Sequence, residues 1–253
     1  MGLSPKWRSD LLIILGITIY TLLSIIIPKI LKEKNKISKF TARKIIHSFS
    51  GLGVLSAPYL NFPFLAFLFA LLMTALVRLS NNKSKAKPLK ELYNAISEDE
   101  ELKLGYLQGP YAYCLAISIL VFAFIFFSDK FYIPISSILT MMYADTFAAF
   151  IGRRYGKHHI DIPWVGNKRT LEGSASFFTV SIILSLFVFF FFGKILPGNS
   201  MILTGEQVIL LSFLLSIVST ILELLSPSKY DDIIVPLGST LIVSLIMFVL
   251  NVW

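Results

Sequence analysis

Eight long apolar stretches, each ended by Pro, Gly or a cluster of charge, decide what this chain can fold into. They cover residues 11–27, 45–60, 62–79, 111–127, 133–151, 173–192, 208–225 and 233–252. A bilayer core of about 30 Å takes about 20 apolar residues of α-helix, with a range of about 17 to 25, so each stretch is a candidate span. The second and third are the weakest pair, separated only around Asn61 and Pro63. They form either a tight helical hairpin or two shorter, tilted spans. Charged residues make up 15% of the chain, against about 25% in a soluble domain, and the mean hydropathy is +0.75. Those values exclude a soluble globule. One cysteine, 22 phenylalanines and apolar runs in place of heptads exclude a disulfide-stapled module, disorder and a coiled coil. The expected fold class is an all-α integral membrane protein of about eight transmembrane helices, forming a single polytopic domain over residues 1–253. The first stretch is expected to be retained, because Lys, Glu and Asn follow it in place of a small-residue cleavage site.

The distribution of Lys and Arg sets the expected orientation. With eight spans, 19 of the 23 basic residues fall on one side, in 29–44, 78–103, 153–169 and at Lys229. Lys6, Arg8, Lys130 and Lys194 fall on the other. The basic side is cytoplasmic by the positive-inside rule, which puts both termini outside, with Trp7 and Trp253 at the same outer interface. The net charge of +8 is then explained by loops facing an anionic membrane surface and phosphorylated solutes, and no nucleic acid is required. In the longest cytoplasmic loop, residues 80–110, Leu89, Leu92, Tyr93 and Ile96 repeat at helical spacing behind Pro88. Either a short amphipathic helix lies on the membrane, or the loop is a solvated connector whose acidic run 98–101 faces water.

An acid inside an apolar run needs a reason, since an Asp at a helix centre costs about 2.5–3.5 kcal/mol on insertion scales. Asp145 lies within the fifth stretch, roughly 9 Å from its cytoplasmic end at about 1.5 Å per residue, and is expected to face a polar cleft. On the same helix Ala144, Ala148, Gly152 and Gly156 recur at every fourth position. That spacing lets another helix or a ligand approach the backbone. The helix runs into Arg153, Lys157, His158, His159 and Asp161, and the loop closes on Lys168, Arg169, Thr170, Leu171, Glu172, Gly173 and Ser174. A glycine, hydroxyls and basic charge at the mouth of a helix suit a polyphosphate. An N-terminal cap by Thr170 or Ser174 accounts for only one or two of these residues.

Two further polar groups lie at the same expected level. Arg43, Lys44 and His47 lead into the second stretch, with His47 one turn past Arg43. Glu223 lies near the inner end of the seventh stretch, and Asp231 and Asp232 open the eighth. Carboxylates that close repel unless protonated or neutralised by a cation, and oxygen ligands suit Mg²⁺ (or Mn²⁺) bridging phosphates. Convergence of four groups on one side points to a cytoplasm-facing site that handles a magnesium-bound phosphate compound. A zinc site at His158 and His159 lacks a third His or a nearby Cys.

These motifs, namely Arg43-Lys44-x-x-His47, Ala144-Asp145-Thr146 with Ala148, Gly152 and Gly156, Lys168-Arg169-Thr170-Leu171-Glu172-Gly173-Ser174, and Asp231-Asp232-x-x-Val235-Pro236, resemble those of the CTP-dependent polyprenol kinases, the dolichol, phytol and geranylgeraniol kinases. The resemblance covers about residues 40–240. It implies an integral membrane enzyme that moves the γ-phosphoryl group of CTP to the hydroxyl of a long-chain isoprenoid alcohol in the bilayer. It further implies that Asp145, Glu223, Asp231 and Asp232 hold the metal. Arg43, Lys44, Gly152, Arg153, Gly156, Lys157, Lys168, Arg169, Thr170, Gly173 and Ser174 would surround the nucleotide, and Asp145, Glu172 or His47 would take the alcohol proton. Ala144 and Asp232 depart from the usual Gly and Asn. The rival readings are a CTP:phosphatidate-type cytidylyltransferase, whose downstream Lys-Asp and His-Gly-Gly signature is missing, a CTP-dependent diacylglycerol kinase, and an anion transporter, which would place its polar groups near the midplane.

Overall fold

The computed structural model describes residues 4–166, 169–195 and 202–250. Among them, six helices are long and apolar enough to cross a bilayer: Pro5–Glu33, Gln108–Lys130, Tyr132–Tyr155, Leu171–Ile195, Gly205–Leu225 and Asp231–Val249. The surface is apolar and the interior carries hydroxyls. Leu12, Ile209, Leu241 and Phe248 are all more than 60% exposed, whereas Ser181, Ser185, Ser212, Ser216, Ser219 and Ser239 are fully or almost fully buried. Only an apolar solvent makes that arrangement favourable, and small hydroxyl residues let membrane helices approach closely. The protein is an integral membrane helical protein. It divides into two compact units, residues 1–125 and 126–253.

In the first unit, α1 (Pro5–Glu33) has 29 residues and extends about 43 Å at about 1.5 Å per residue. α2 (Lys39–Ser50) begins where α1 ends. The Ser38 side chain caps it by accepting from the Thr41 amide. The stretch expected to be one helix over 45–60 changes geometry at Ser50 and continues as a 3₁₀-helix, Gly51–Tyr59, which contains Pro58. Gly51, Gly53 and Pro58 disfavour continued α-helix, and the looser rise of about 2.0 Å per residue lengthens the segment. The turn at Asn61 and Phe62 is held at the start of α1. The Asp10 carboxylate accepts from the amides of Asn61 (3.0 Å) and Phe62 (2.8 Å), and Trp7 stacks on Phe62 at 4.2 Å. α3 (Phe64–Leu79) has 16 residues.

The loop after α3 contains α4 (Lys87–Ile96) and α5 (Asp99–Leu104). The short helix read from the spacing forms. The apolar face of α4 is covered by protein, with Tyr93, Ala95 and Ile96 forming a core with Ile46 and Leu107. The acidic run is also turned inward in part: Glu101 is buried, closes the capping box of α5 and accepts from the Gly109 amide at 2.9 Å. α6 (Gln108–Phe124) then packs along α3, where the Thr74 and Ser118 hydroxyls meet at 2.9 Å.

In the second unit, α7 (Tyr132–Leu139) is buried over its whole length and packs on α9 and α11. One π-helical turn, Thr140–Ala144, joins it to α8 (Asp145–Tyr155). A two-stranded antiparallel hairpin follows, with β1 (His159–Ile160) paired to β2 (Arg169–Thr170). α9 (Leu171–Phe190), α10 (Gly205–Leu225) and α11 (Asp231–Val249) complete the unit. α9 and α10 share a hydroxyl seam in which Ser185 donates to the Ser212 carbonyl and meets the Ser216 hydroxyl, both at 3.2 Å.

Candidate active site

The second unit brings most of the expected site residues together. Thr170 ends β2 and caps α9, its hydroxyl accepting from the Gly173 amide at 3.1 Å. The three glycines of the motif surround this side chain. A Cβ on Gly152 or on Gly173 would lie 2.9 Å from the Thr170 hydroxyl, and one on Gly156 would lie 2.6 Å from its methyl group. The glycines therefore let α8 pack against the start of α9 with Thr170 between them. Ser174 is buried one turn further on. Arg153 and Lys157 are exposed at the end of α8 and just after it. Lys168 lies outside the described residues.

The hairpin is tied down at both ends. His158 Nδ1 and Glu172 Oε1 are 2.7 Å apart, and the His158 carbonyl accepts from the Leu171 amide. The indole of Trp164 donates to the Leu225 carbonyl at 3.0 Å, and the Ser228 amide donates to the Val165 carbonyl at 3.0 Å. These bonds fix the loop on the corner between α10 and α11. Residue spacing gave no sign of the Trp164 and Val165 anchors, because their partners lie about 60 residues away along the chain.

That anchoring delivers Arg169 to the acids. Its guanidinium pairs with Glu223, which is 4% exposed, and donates to Asp231 Oδ2 at 3.1 Å. Burial opposes the positive charge. The carboxylates of Glu223, Asp231 and Asp145 outweigh burial and hold the guanidinium above its ordinary pKa. The acids were expected to need a neutralising cation, and the chain supplies one. Asp145, half-buried at the start of α8, is within electrostatic reach of Arg169. Asp231 and Asp232 occupy the first turn of α11, where the helix dipole favours negative charge. As arranged, these residues do not fit a metal ion: among the described residues no group of three or more His, Cys, Asp or Glu side chains is placed to hold one, and Arg169 pairs with both Glu223 and Asp231.

Arg43, Lys44 and His47 lie on α2, in the first unit. Arg43 makes a bidentate pair with Glu101, at 2.5 and 3.1 Å, and donates to the Ile96 carbonyl at 3.2 Å. It thereby ties α2 to the end of α4 and to α5. Lys44 is half-buried. His47 is 7% exposed, with its ring edge-on to Tyr113 at 4.9 Å. Glu101, the main partner of Arg43, was missed. The spacing of Glu98 and Glu101 before an apolar run carries the signal of a capping box that turns the second acid inward.

No family model matches the chain, and no solved structure matches it. A probable phytol kinase 2 of Glycine max is 30% identical over 224 residues, which are 87% of this chain and 70% of that protein. The chain belongs to the CTP-dependent polyprenol kinase family. A probable phytol kinase of Zea mays is 28% identical over 229 residues, 87% of this chain and 71% of that protein. The CTP-dependent diacylglycerol kinase 1 of Saccharomyces cerevisiae is 31% identical over 156 residues, and those span 62% of this chain and 42% of that protein. As a member of the family, the protein is a phosphotransferase with an alcohol acceptor.

Proposed function

We propose that the protein transfers the γ-phosphoryl group of CTP to the hydroxyl of a long-chain isoprenoid alcohol, of the phytol, geranylgeraniol or polyprenol type, at the cytoplasmic face of its membrane. The observation that carries this reading is the gathering of Asp145, Arg169, Glu223 and Asp231 around one hairpin in a chain that is otherwise apolar. The relatives named as phytol kinases support the class of acceptor. The surplus of Lys and Arg in the loops that carry these residues supports the face.

In the reaction the alcohol oxygen attacks the γ-phosphorus, the bond from that phosphorus to the β–γ bridging oxygen breaks, and CDP leaves. The alcohol proton passes to the Asp145 carboxylate. Such transfers depend mainly on positioning and on electrostatic stabilisation of the phosphoryl oxygens. Arg153 and Lys157 supply exposed positive charge beside the hairpin, and the start of α9, fixed by Thr170 and Gly173, offers the positive end of a helix dipole to the triphosphate. Arg169 holds Glu223 and Asp231 in place. Glu172, paired with His158, positions the loop before α9.

A second reading, with diacylglycerol as acceptor, is favoured by the yeast relative. One experiment tests both. The purified protein in detergent is given CTP labelled at the γ or the α phosphate, with phytol, geranylgeraniol, a polyprenol or diacylglycerol. Label from the γ position in an isoprenoid phosphate is the expected result. Transfer to diacylglycerol alone would support the second reading, whereas α label in the lipid would overturn both in favour of a cytidylyltransferase.

A further inference from the structure

The loop between the two strands of the hairpin carries an exposed tryptophan that the proposed reaction does not use. Trp164 is 62% exposed, and its indole N–H, the ring's one polar atom, already donates to the Leu225 carbonyl at 3.0 Å. What the ring shows to its surroundings is therefore apolar. Leu225 is the last residue of α10, so its carbonyl is one of the four that a helix end leaves without an intrahelical partner. Trp164 satisfies it without water.

The length of α10 fixes the level at which this happens. Its 21 residues extend about 31 Å at about 1.5 Å per residue, which matches a hydrocarbon core of about 30 Å. Exposed apolar side chains continue along it to the last turn, at Ile221 and Leu225. The end of α10 therefore lies at the edge of the core, the level that amphipathic aromatic rings favour. Two cation–aromatic pairs stand at the same end of the unit. Tyr230, on the corner between α10 and α11, is 47% exposed and has the Lys229 ammonium over its ring at 5.4 Å. Tyr155, at the end of α8, is also exposed, with the Arg154 guanidinium over its ring at 5.3 Å. The Ser228 amide and hydroxyl both donate to the Val165 carbonyl and hold the corner to the loop. Among the described residues from 153 to 166 and from 226 to 230, the exposed Lys, Arg, Asp and Glu side chains are Arg153, Arg154, Lys157 and Lys229 against Asp161 alone.

We propose that this end of the second unit is an anchor for an anionic lipid surface: Trp164 and Tyr230 enter the boundary between headgroups and acyl chains, and Lys229 and Arg154 pair with lipid phosphates. A lipid surface fits both parts, an indole ring with no polar atom left to hydrate and a surplus of positive charge that an anionic leaflet attracts. A soluble anion would satisfy the charge and leave the ring in water. The consequence falls on Arg169, into which the same loop leads: its pairing with Glu223 and Asp231 is held at the height of the headgroups.

The test uses the full-length protein with Trp7→Phe and Trp253→Phe, which leaves Trp164 as its one tryptophan, in phosphatidylcholine nanodiscs. Brominated phosphatidylcholine is expected to quench its fluorescence, more strongly with bromine near the headgroup than near the chain ends, while aqueous iodide does not. Brominated phosphatidylglycerol, added as a small fraction of the lipid, should quench more than the same fraction of brominated phosphatidylcholine. Lys229→Ala should lower that preference about fivefold, the worth of one basic residue near a charged surface, and high salt should weaken it. Quenching by iodide and not by brominated lipid would place the loop in water and overturn the proposal. Shielding from both quenchers would mean that another protein surface covers this end, and equal quenching by the two brominated lipids would remove the recognition of anionic lipid; either result overturns the proposal as well.

Discussion

Arg169 holds two acids that would otherwise face each other across the corner of α10 and α11. Removing one partner of a buried ion pair leaves uncompensated charge, at about 3–5 kcal/mol. Arg169→Ala is therefore expected to lower thermal stability in detergent sharply, with much of the loss recovered in Arg169→Ala/Glu223→Ala. A double-mutant cycle should give a coupling of about 1–3 kcal/mol, and additive losses would contradict the pairing. Asp145→Asn has a different expected signature: the protein inserts and melts as the wild type does, while γ transfer falls by about 10²–10⁴-fold. Near-normal turnover would remove Asp145 from the reaction. The acids were legible in the sequence because charge in an apolar run is costly. That Arg169 would neutralise them was not, since it depends on a loop anchored through Trp164 and Val165 to residues some 60 positions away. The motif glycines were legible as sites of close approach, and what approaches them is Thr170.

At the scale of the element, α4 shows how far periodicity reaches. The repeat of Leu89, Leu92, Tyr93 and Ile96 identifies an amphipathic helix, but not whether lipid or protein covers its face, and the covering comes from Ile46 and Leu107. On its other side Glu91 accepts from Lys29 of α1 at 2.6 Å. That hydrogen bond and the lysine's charge hold the Glu91 carboxyl below its ordinary pKa. A carboxyl lowered in the folded state adds stability above its unfolded pKa and loses it as pH falls through the folded one. The melting temperature of the wild type should therefore exceed that of Glu91→Gln at neutral pH, and the gap should close as the pH falls below the usual carboxylate range. A gap that widened in acid would contradict the assignment. The break of the second apolar stretch at Ser50 was also partly legible, in Gly51, Gly53 and Pro58, although a hydropathy window does not register helix type.

For the whole molecule, the six long helices leave α2, the 3₁₀-helix and α3 to be placed. α2 starts beside the end of α1, and the Asn61 turn is pinned by Asp10 at its beginning. Twelve residues of α-helix and nine of 3₁₀-helix together extend about 36 Å at about 1.5 and 2.0 Å per residue, enough for a core of about 30 Å. α3, with 16 residues, returns about 24 Å. We therefore expect both segments to cross. On a Cys114→Ala background, Phe64→Cys and Lys194→Cys should react with an impermeant maleimide from one side, and Lys36→Cys from the other. Labelling of Phe64→Cys together with Lys36→Cys would make the pair re-entrant. Labelling of Lys36→Cys and Lys194→Cys from the same side would overturn the orientation altogether.

The π-helical turn before Asp145 bears on how this helix tolerates changes of length. Its wider ring takes up about one residue more than α geometry needs, so the segment 132–155 carries a built-in insertion. Deleting Tyr143 would let the turn close as ordinary α-helix, with everything after it keeping its angular setting. Deleting Ile138, within regular helix, would swing α8 by about 100°, one residue's share of a 3.6-residue turn, and carry the Asp145 carboxylate away from Arg169. The first deletion should leave measurable γ transfer and the second none. A turn of this kind is where the chain can gain or lose a residue while its acid keeps facing the same way.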